Sequence, residues 1–196
     1  ILVDPADADD IAAVAALQDQ LVLTSNSAVP FDYPDYDNVS FDETRNALLA
    51  LARNLDGFDH MFGTRDEVRP VHHLIGTAAG WGGLPSSEAT YIGVDPRLPL
   101  AQYELTVRDV PVDGFWSISV YNAQGFFEPN ARGAYTVNDI TAVKNEDGST
   151  TVRFGDYPEG TPNAIPITEG WNYLVRLHRP RPEILDGSWD FPQITK

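Results

Sequence analysis

Between Asp113 and Gly125 the chain reads Asp-Gly-Phe-Trp-Ser-Ile-Ser-Val-Tyr-Asn-Ala-Gln-Gly, and no other stretch limits the fold so sharply. Asp113-Gly114 is a turn signal. From Phe115 to Asn122 the residues alternate as a strand requires, because successive strand side chains point to opposite faces of a sheet. One face is then Phe115, Ser117, Ser119 and Tyr121, and the other is Trp116, Ile118, Val120 and Asn122. The second face is apolar enough to be core. The first carries rings and hydroxyls of the kind that line a ligand pocket, so the run predicts a central strand beside a binding surface.

Further strands are expected at 90–94, 102–109, 134–137, 141–144, 150–154 and 171–177, with Asn145-Glu146-Asp147-Gly148 as a hairpin turn. Many short strands with Gly and Pro turns imply an antiparallel sandwich or barrel rather than a parallel α/β sheet. Helices are expected before them. Residues 7–23 place Ile11, Val14, Ala15, Leu17 and Leu21 near one face, with Asp7, Asp9 and Asp10 where a helix start favours negative charge. Ser40 and Glu43 form a capping-box pattern that opens a second helix to about residue 54, ended by Asp56-Gly57, with Leu48, Leu49 and Ala52 as its buried stripe. A third helix is expected over 65–77, kinked near Pro70 and ending in the small-residue run 77–83. The tyrosine-rich and aspartate-rich loop between the first two helices reads as a solvated connection.

The chain has 196 residues, enough for one large domain, and 42% hydrophobic with 21% charged residues is ordinary globular composition. Against 13 Lys+Arg stand 29 Asp+Glu, a formal charge of −16 that repels a phosphate backbone and argues against nucleic acid or an anionic membrane as partner. There is no cysteine, which excludes disulfides, thiolate metal sites and cysteine nucleophiles and fits cytoplasm, periplasm and secretion alike. No apolar run approaches the ~20 residues of a membrane span. Ile1-Leu2-Val3-Asp4 includes no initiating methionine, as expected of a processed or trimmed start.

Several segments together resemble a known family. They are His73-Leu74-Ile75-Gly76-Thr77-Ala78-Ala79-Gly80-Trp81-Gly82-Gly83, the run from Val110 to Tyr121, Gly170-Trp171-Asn172-Tyr173, and the run from Arg179 to Trp189. The chain over roughly residues 60–192 resembles the domain-of-unknown-function family 1214 (DUF1214). The resemblance implies a jelly-roll-like antiparallel β-sandwich with two or three N-terminal accessory helices. In that family the domain commonly follows a second uncharacterised domain, DUF1254, in bacterial proteins, and this chain looks like a stand-alone form without it. The expected division is a helical extension over 1–60, packed on the same unit as a sandwich domain over 61–196. The family supplies no catalytic residues to carry over.

Chemistry must then be sought in the residues. His72 and His73 are adjacent, so on a helix they diverge by about 100° and cannot chelate one metal as an i, i+4 pair would. No metal or cofactor is expected. The glycine-rich run lacks the Lys-Ser/Thr of a phosphate loop and serves close backbone approach instead. In the last strand Asn172, Arg176 and His178 share one face, and Arg176 can clamp a carboxylate or orient a hydroxylated ligand by its planar fork. The expected ligand site is His73, Trp81, Ser117, Tyr121 and Arg176, taking a small or carbohydrate-like molecule in an aromatic and hydroxyl-lined groove. Two alternatives stand beside it. One is a hydrolase or lyase that uses Glu104, Asp109, Asp113 or Glu128 with His73 or His178 as proton shuttle. The other is a structural domain whose aromatic surface meets another copy of the chain.

Overall fold

A computed structural model describes residues 3, 6–53, 55, 57–80 and 82–195. In chain order its elements are α1 (Ala8–Gln18), α2 (Asn38–Ala52), α3 (Pro70–Gly80), β1 (Ala89–Val94), β2 (Tyr103–Val107), β3 (Trp116–Tyr121), β4 (Thr136–Asn138), β5 (Thr150–Phe154), β6 (Ala164–Ile165), β7 (Asn172–His178) and α4 (Pro182–Leu185). The chain divides into two compact units, 1–37 and 38–196.

In the first unit the Asp7 carboxylate accepts hydrogen bonds from the N–H groups of Asp9 (2.9 Å) and Asp10 (3.3 Å), which caps α1 as its acidic start predicts. The helix ends at Gln18, five residues short of the expected 23, and buries none of its residues. An apolar stripe with no fully buried residue contributes little to helix length.

The second unit holds everything else. α2 opens at Asn38, so Ser40 lies within its first turn and is not its cap, contrary to the capping-box reading. Leu48, Leu49 and Ala52 are the half-buried residues of α2, as the stripe predicts, and this helix packs on α3. Pro70 does not kink a helix; it is the first residue of α3, where its missing N–H costs nothing and its fixed φ fits the first turn. Asp56 and Asn54, which the sequence places at the end of α2, lie outside the described residues.

Seven strands form two sheets, ordered β1-β7-β3-β4 and β2-β5-β6, and every pairing is antiparallel except β5 with β6. The inner faces meet in one core. Trp116, Ile118, Val120, Tyr173, Val175 and Leu177 from the larger sheet pack with Tyr103, Leu105, Val107, Val152, Phe154 and Ile165 from the smaller. The molecule is therefore mainly β, a two-sheet sandwich with a few short helices. Strand β7 alternates buried and half-buried along its whole length, as its sequence predicts.

One expected strand is missing. Residues 141–144 are irregular because Asn138 Oδ1 accepts from the N–H groups of Ile140 (3.0 Å) and Thr141 (2.9 Å) and turns the chain out of β4. The Asn163 side chain then stands where a neighbouring strand would: its Oδ1 accepts from the Val143 N–H at 2.9 Å, and its Nδ2 donates to the carbonyls of Val143 (2.8 Å) and Thr151 (3.1 Å). After β7, Arg179 adopts a positive φ of 52° instead of the extended exit its Arg-Pro repeat suggests. Ile184, Trp189 and Phe191 nonetheless strap the C-terminal segment onto the core. No helix among the described residues is long and apolar enough to cross a membrane.

Candidate functional site

The register places Tyr91 opposite Arg176 and Arg176 opposite Ser117 across β1, β7 and β3. One step along, Leu174 lies opposite Ser119, which lies opposite Thr136 of β4. All of these belong to the face of the larger sheet turned away from the core. On that face Arg176 Nη1 donates to Ser119 Oγ at 2.9 Å and Nη2 donates to Tyr121 Oη at 2.7 Å. Ser119 in turn donates to Thr136 Oγ1 (3.2 Å), and Thr136 donates to the Ile118 carbonyl (2.9 Å). The chain of bonds runs one way, so the Ser119 and Tyr121 oxygens are committed as acceptors and fix the plane of the guanidinium. The Tyr121 ring is itself held, stacked on Phe127 with centroids 4.9 Å apart.

Arg176 is one wall of a cavity of about 360 Å³. Tyr91 and Leu174 share its wall, Phe58 and Phe62 close one side, and the end of α3 with the glycines after it closes another. Two of the lining glycines, Gly76 within α3 and Gly83 after it, are there for space. A Cβ on Gly76 would come within 2.7 Å of the Met61 Cβ, and one on Gly83 would overlap the Phe62 ring. The glycine-rich run therefore lets the segment 61–62 lie directly on the helix end, which is the close backbone approach its composition predicts.

The five expected site residues are only partly joined. Arg176 and Tyr121 are hydrogen-bonded, and Ser117 is Arg176's cross-strand partner, 8% exposed. His73 has a different task. Its Nδ1 bonds the Met61 carbonyl at 2.8 Å and its ring meets Phe62 edge-on at 5.8 Å, so it holds the segment that supplies Phe62 and does not itself line the cavity. Trp81 lies outside the described residues. The sequence reading missed Ser119 as an Arg176 partner, although Ser119 stands on the face it singled out. It also missed Phe58, Phe62 and Tyr91, which reach the site through tertiary packing and the β1–β7 register.

His178 neighbours the site, stacked on Phe115 at 4.3 Å; burial first, and the Arg176 charge second, push its pKa below the ordinary imidazole value. The carboxylates weighed for hydrolysis are elsewhere. Glu104 pairs with Arg153 at 3.0 Å, Asp113 with Arg181 at 2.7 Å, Glu128 accepts from Asn122 at 2.8 Å, and Asp109 is exposed. None of the four lines the Arg176 cavity. Among the described residues no three His, Asp or Glu side chains converge as a metal site would require. A wider, more open hollow of about 850 Å³ lies beside β4 and β6, but its Arg132 is bonded to the carbonyls of Tyr157 and Pro158.

No curated protein matches the chain. Among solved structures, the VPA0106 protein from Vibrio parahaemolyticus superposes with a TM-score of 0.62 at 23% identity over 85% of this chain, which shows a shared fold. The matched part is 46% of that protein's length. An uncharacterised protein from Burkholderia cenocepacia gives a TM-score of 0.36 at 15% identity, over 83% of this chain and 42% of its own. The model of the family described as "Protein of unknown function (DUF1214)" matches residues 97–182, a narrower span than the resemblance over 60–192 implied. That stretch carries Ser117, Ser119, Tyr121 and Arg176 but not the helix and aromatic residues that close the cavity over them. Residues 97–182, from before β2 to the first residue of α4, are thus the part of the chain that matches the DUF1214 family model.

Proposed function

We propose that this protein binds a small, hydroxylated ligand in the cavity between the end of α3 and the outer face of the larger sheet. The observation that carries the reading is the oriented Arg176 guanidinium, held by Ser119 and Tyr121 at the wall of a cavity whose other described lining residues are aromatic rings, glycines, Ala79 and Leu174. About 360 Å³ falls in the range of small-molecule sites, and an apolar lining with few placed polar groups is their usual make-up. Aromatic rings suit the faces of a sugar or another cyclic molecule, and the guanidinium orients its oxygens.

A thermal-shift screen with sugars, organic acids and divalent metals, repeated with chelator, tests this. A ligand at about a hundredfold excess over Kd stabilises by about 2.7 kcal/mol, a shift of several degrees for a domain of this size. The same ligand should not shift Gly83→Phe, whose side chain collides with Phe62 and displaces that ring from the cavity wall. Equal shifts in both proteins, or none with any compound, would count against the site.

A second reading rests on a separate observation. An apolar groove of about 480 Å³ runs between α2 and α3, and Phe41 (63%) and Leu74 (56%) stand exposed along it, which suits contact with another copy of the chain. Sedimentation of the wild type against Phe41→Glu checks it: a dimer lost in the variant supports assembly, and a monomer in both refutes it.

A further inference from the structure

Three arginines are half-buried: Arg132, Arg153 and Arg176. Removing a guanidinium from water is costly unless strong acceptors replace the solvent. Arg153 has a carboxylate, Glu104, and the Pro162 carbonyl at 3.2 Å. Arg132 has two backbone carbonyls. Arg176 has only two neutral hydroxyls, and among the described residues no carboxylate lies within ion-pair distance of it. Those bonds use two of the N–H groups a guanidinium offers, leaving Nε–H and one N–H on each terminal nitrogen without a described acceptor. In a chain with 29 acidic residues, this half-buried cation faces a cavity whose lining contains none among the described residues.

We infer that the ligand is a carboxylic acid borne on a ring, with its carboxylate on Arg176 and its ring against the wall formed by Phe58, Phe62 and Tyr91. This deepens the proposed function and rests on it. A planar carboxylate accepts two parallel N–H bonds from a guanidinium whose plane is already fixed, so little ordering remains to be done on binding. Phe58 and Tyr91 meet edge-on at 6.1 Å and offer ring surface to the ligand body. The C-terminal turn of α3, the partially negative end of a helix, reaches the same cavity and suits hydroxyl donors on the ring more than a second anion. A monoanion is therefore expected in preference to a dicarboxylate.

Paired probes that differ only at the acid group test the inference: glucuronate against glucose, and benzoate against benzyl alcohol. Binding is followed by calorimetry and by NMR of the Arg176 Nε–H. At least one acid should bind about tenfold or more tightly than its neutral partner, shift the Nε–H resonance, and lose that advantage in Arg176→Met. Arg176→Lys, which keeps the charge without the fork, should recover only part of it. Equal affinity of acid and alcohol in the wild type, both displaced by Gly83→Phe, would overturn the carboxylate assignment and leave the binding site standing. No saturable binding of any probe at the cavity would overturn both.

Discussion

Trp171 offers a direct measurement of what an unsatisfied polar group costs this core. It is 1% exposed, packs against Phe154 at 5.3 Å and against Tyr103 and Tyr173 at 6.1 Å, and its Nε1–H is buried without an acceptor among the described residues. Trp171→Phe removes two carbons and the nitrogen. The lost carbons cost about 1.6 kcal/mol in transfer and about 1 kcal/mol more for the space left behind. Removing the orphan donor returns about 1–3 kcal/mol. The net change should stay below about 1.5 kcal/mol, whereas Trp171→Ala, which also deletes the ring, should cost about 3–5 kcal/mol. Trp116→Phe is the control, because Trp116 is 5% exposed in the same core and its Nε1 is not such an orphan. It makes the same deletion without the relief and should cost about 2.5 kcal/mol. Urea unfolding of the three variants and the wild type, with the slopes compared to confirm an unchanged transition, gives the values. A Trp171→Phe variant that loses as much as Trp116→Phe, or more, would refute the reasoning and mean that the indole N–H has a partner.

Other outcomes follow from the same geometry. Trp116→Ala should lose about 3–5 kcal/mol by denaturant unfolding, and a loss under about 1 kcal/mol would contradict its burial between the sheets. Gly83→Ala should cost about 1–3 kcal/mol and displace Phe62, read as a lower melting temperature and a changed Phe62 resonance; a variant as stable as the wild type would show that the ring yields freely. Because the folded-state pKa of His178 lies below its unfolded value, the unfolded chain takes up the proton first as pH falls. The stability tied to its neutral form is thus complete above about 6.5 and declines below it, through the lowered pKa. Comparing urea midpoints at about pH 5 and about pH 7.5, His178→Phe should lose part of this dependence; an unchanged difference would exclude His178 as a source.

How much of this could be read beforehand depends on the range of the interaction. Period-2 alternation alone separated Trp116, Ile118 and Val120 from Ser117, Ser119 and Tyr121, and did the same for β7, because a strand's faces follow from local geometry. Pro70 reads as a kink from the sequence, since proline suits both a kink and a first helical position and only the surrounding packing chooses. β6 escaped notice: Ala164 and Ile165 are two residues between prolines and pair in parallel with β5, so nothing local marks them. The site divides along the same line. Tyr121 and Arg176 carry chemistry visible in their own strands, whereas Phe58, Phe62 and Tyr91 join them only through folding. His73, expected among the ligand residues, instead bonds the Met61 carbonyl and supports the aromatic wall.

Asn163 has a consequence for the life of the protein in a crowded solution. An irregular segment beside a sheet normally leaves backbone N–H and C=O groups that a strand from another molecule can use to begin fibrillar stacking. Here one amide side chain occupies both polar groups of Val143 and reaches the Thr151 carbonyl as well, on a residue whose φ of 53° asparagine tolerates better than most. A single side chain thus withdraws Val143 and the Thr151 carbonyl from a foreign strand, and it does so without the length, or the register ambiguity, of an eighth strand.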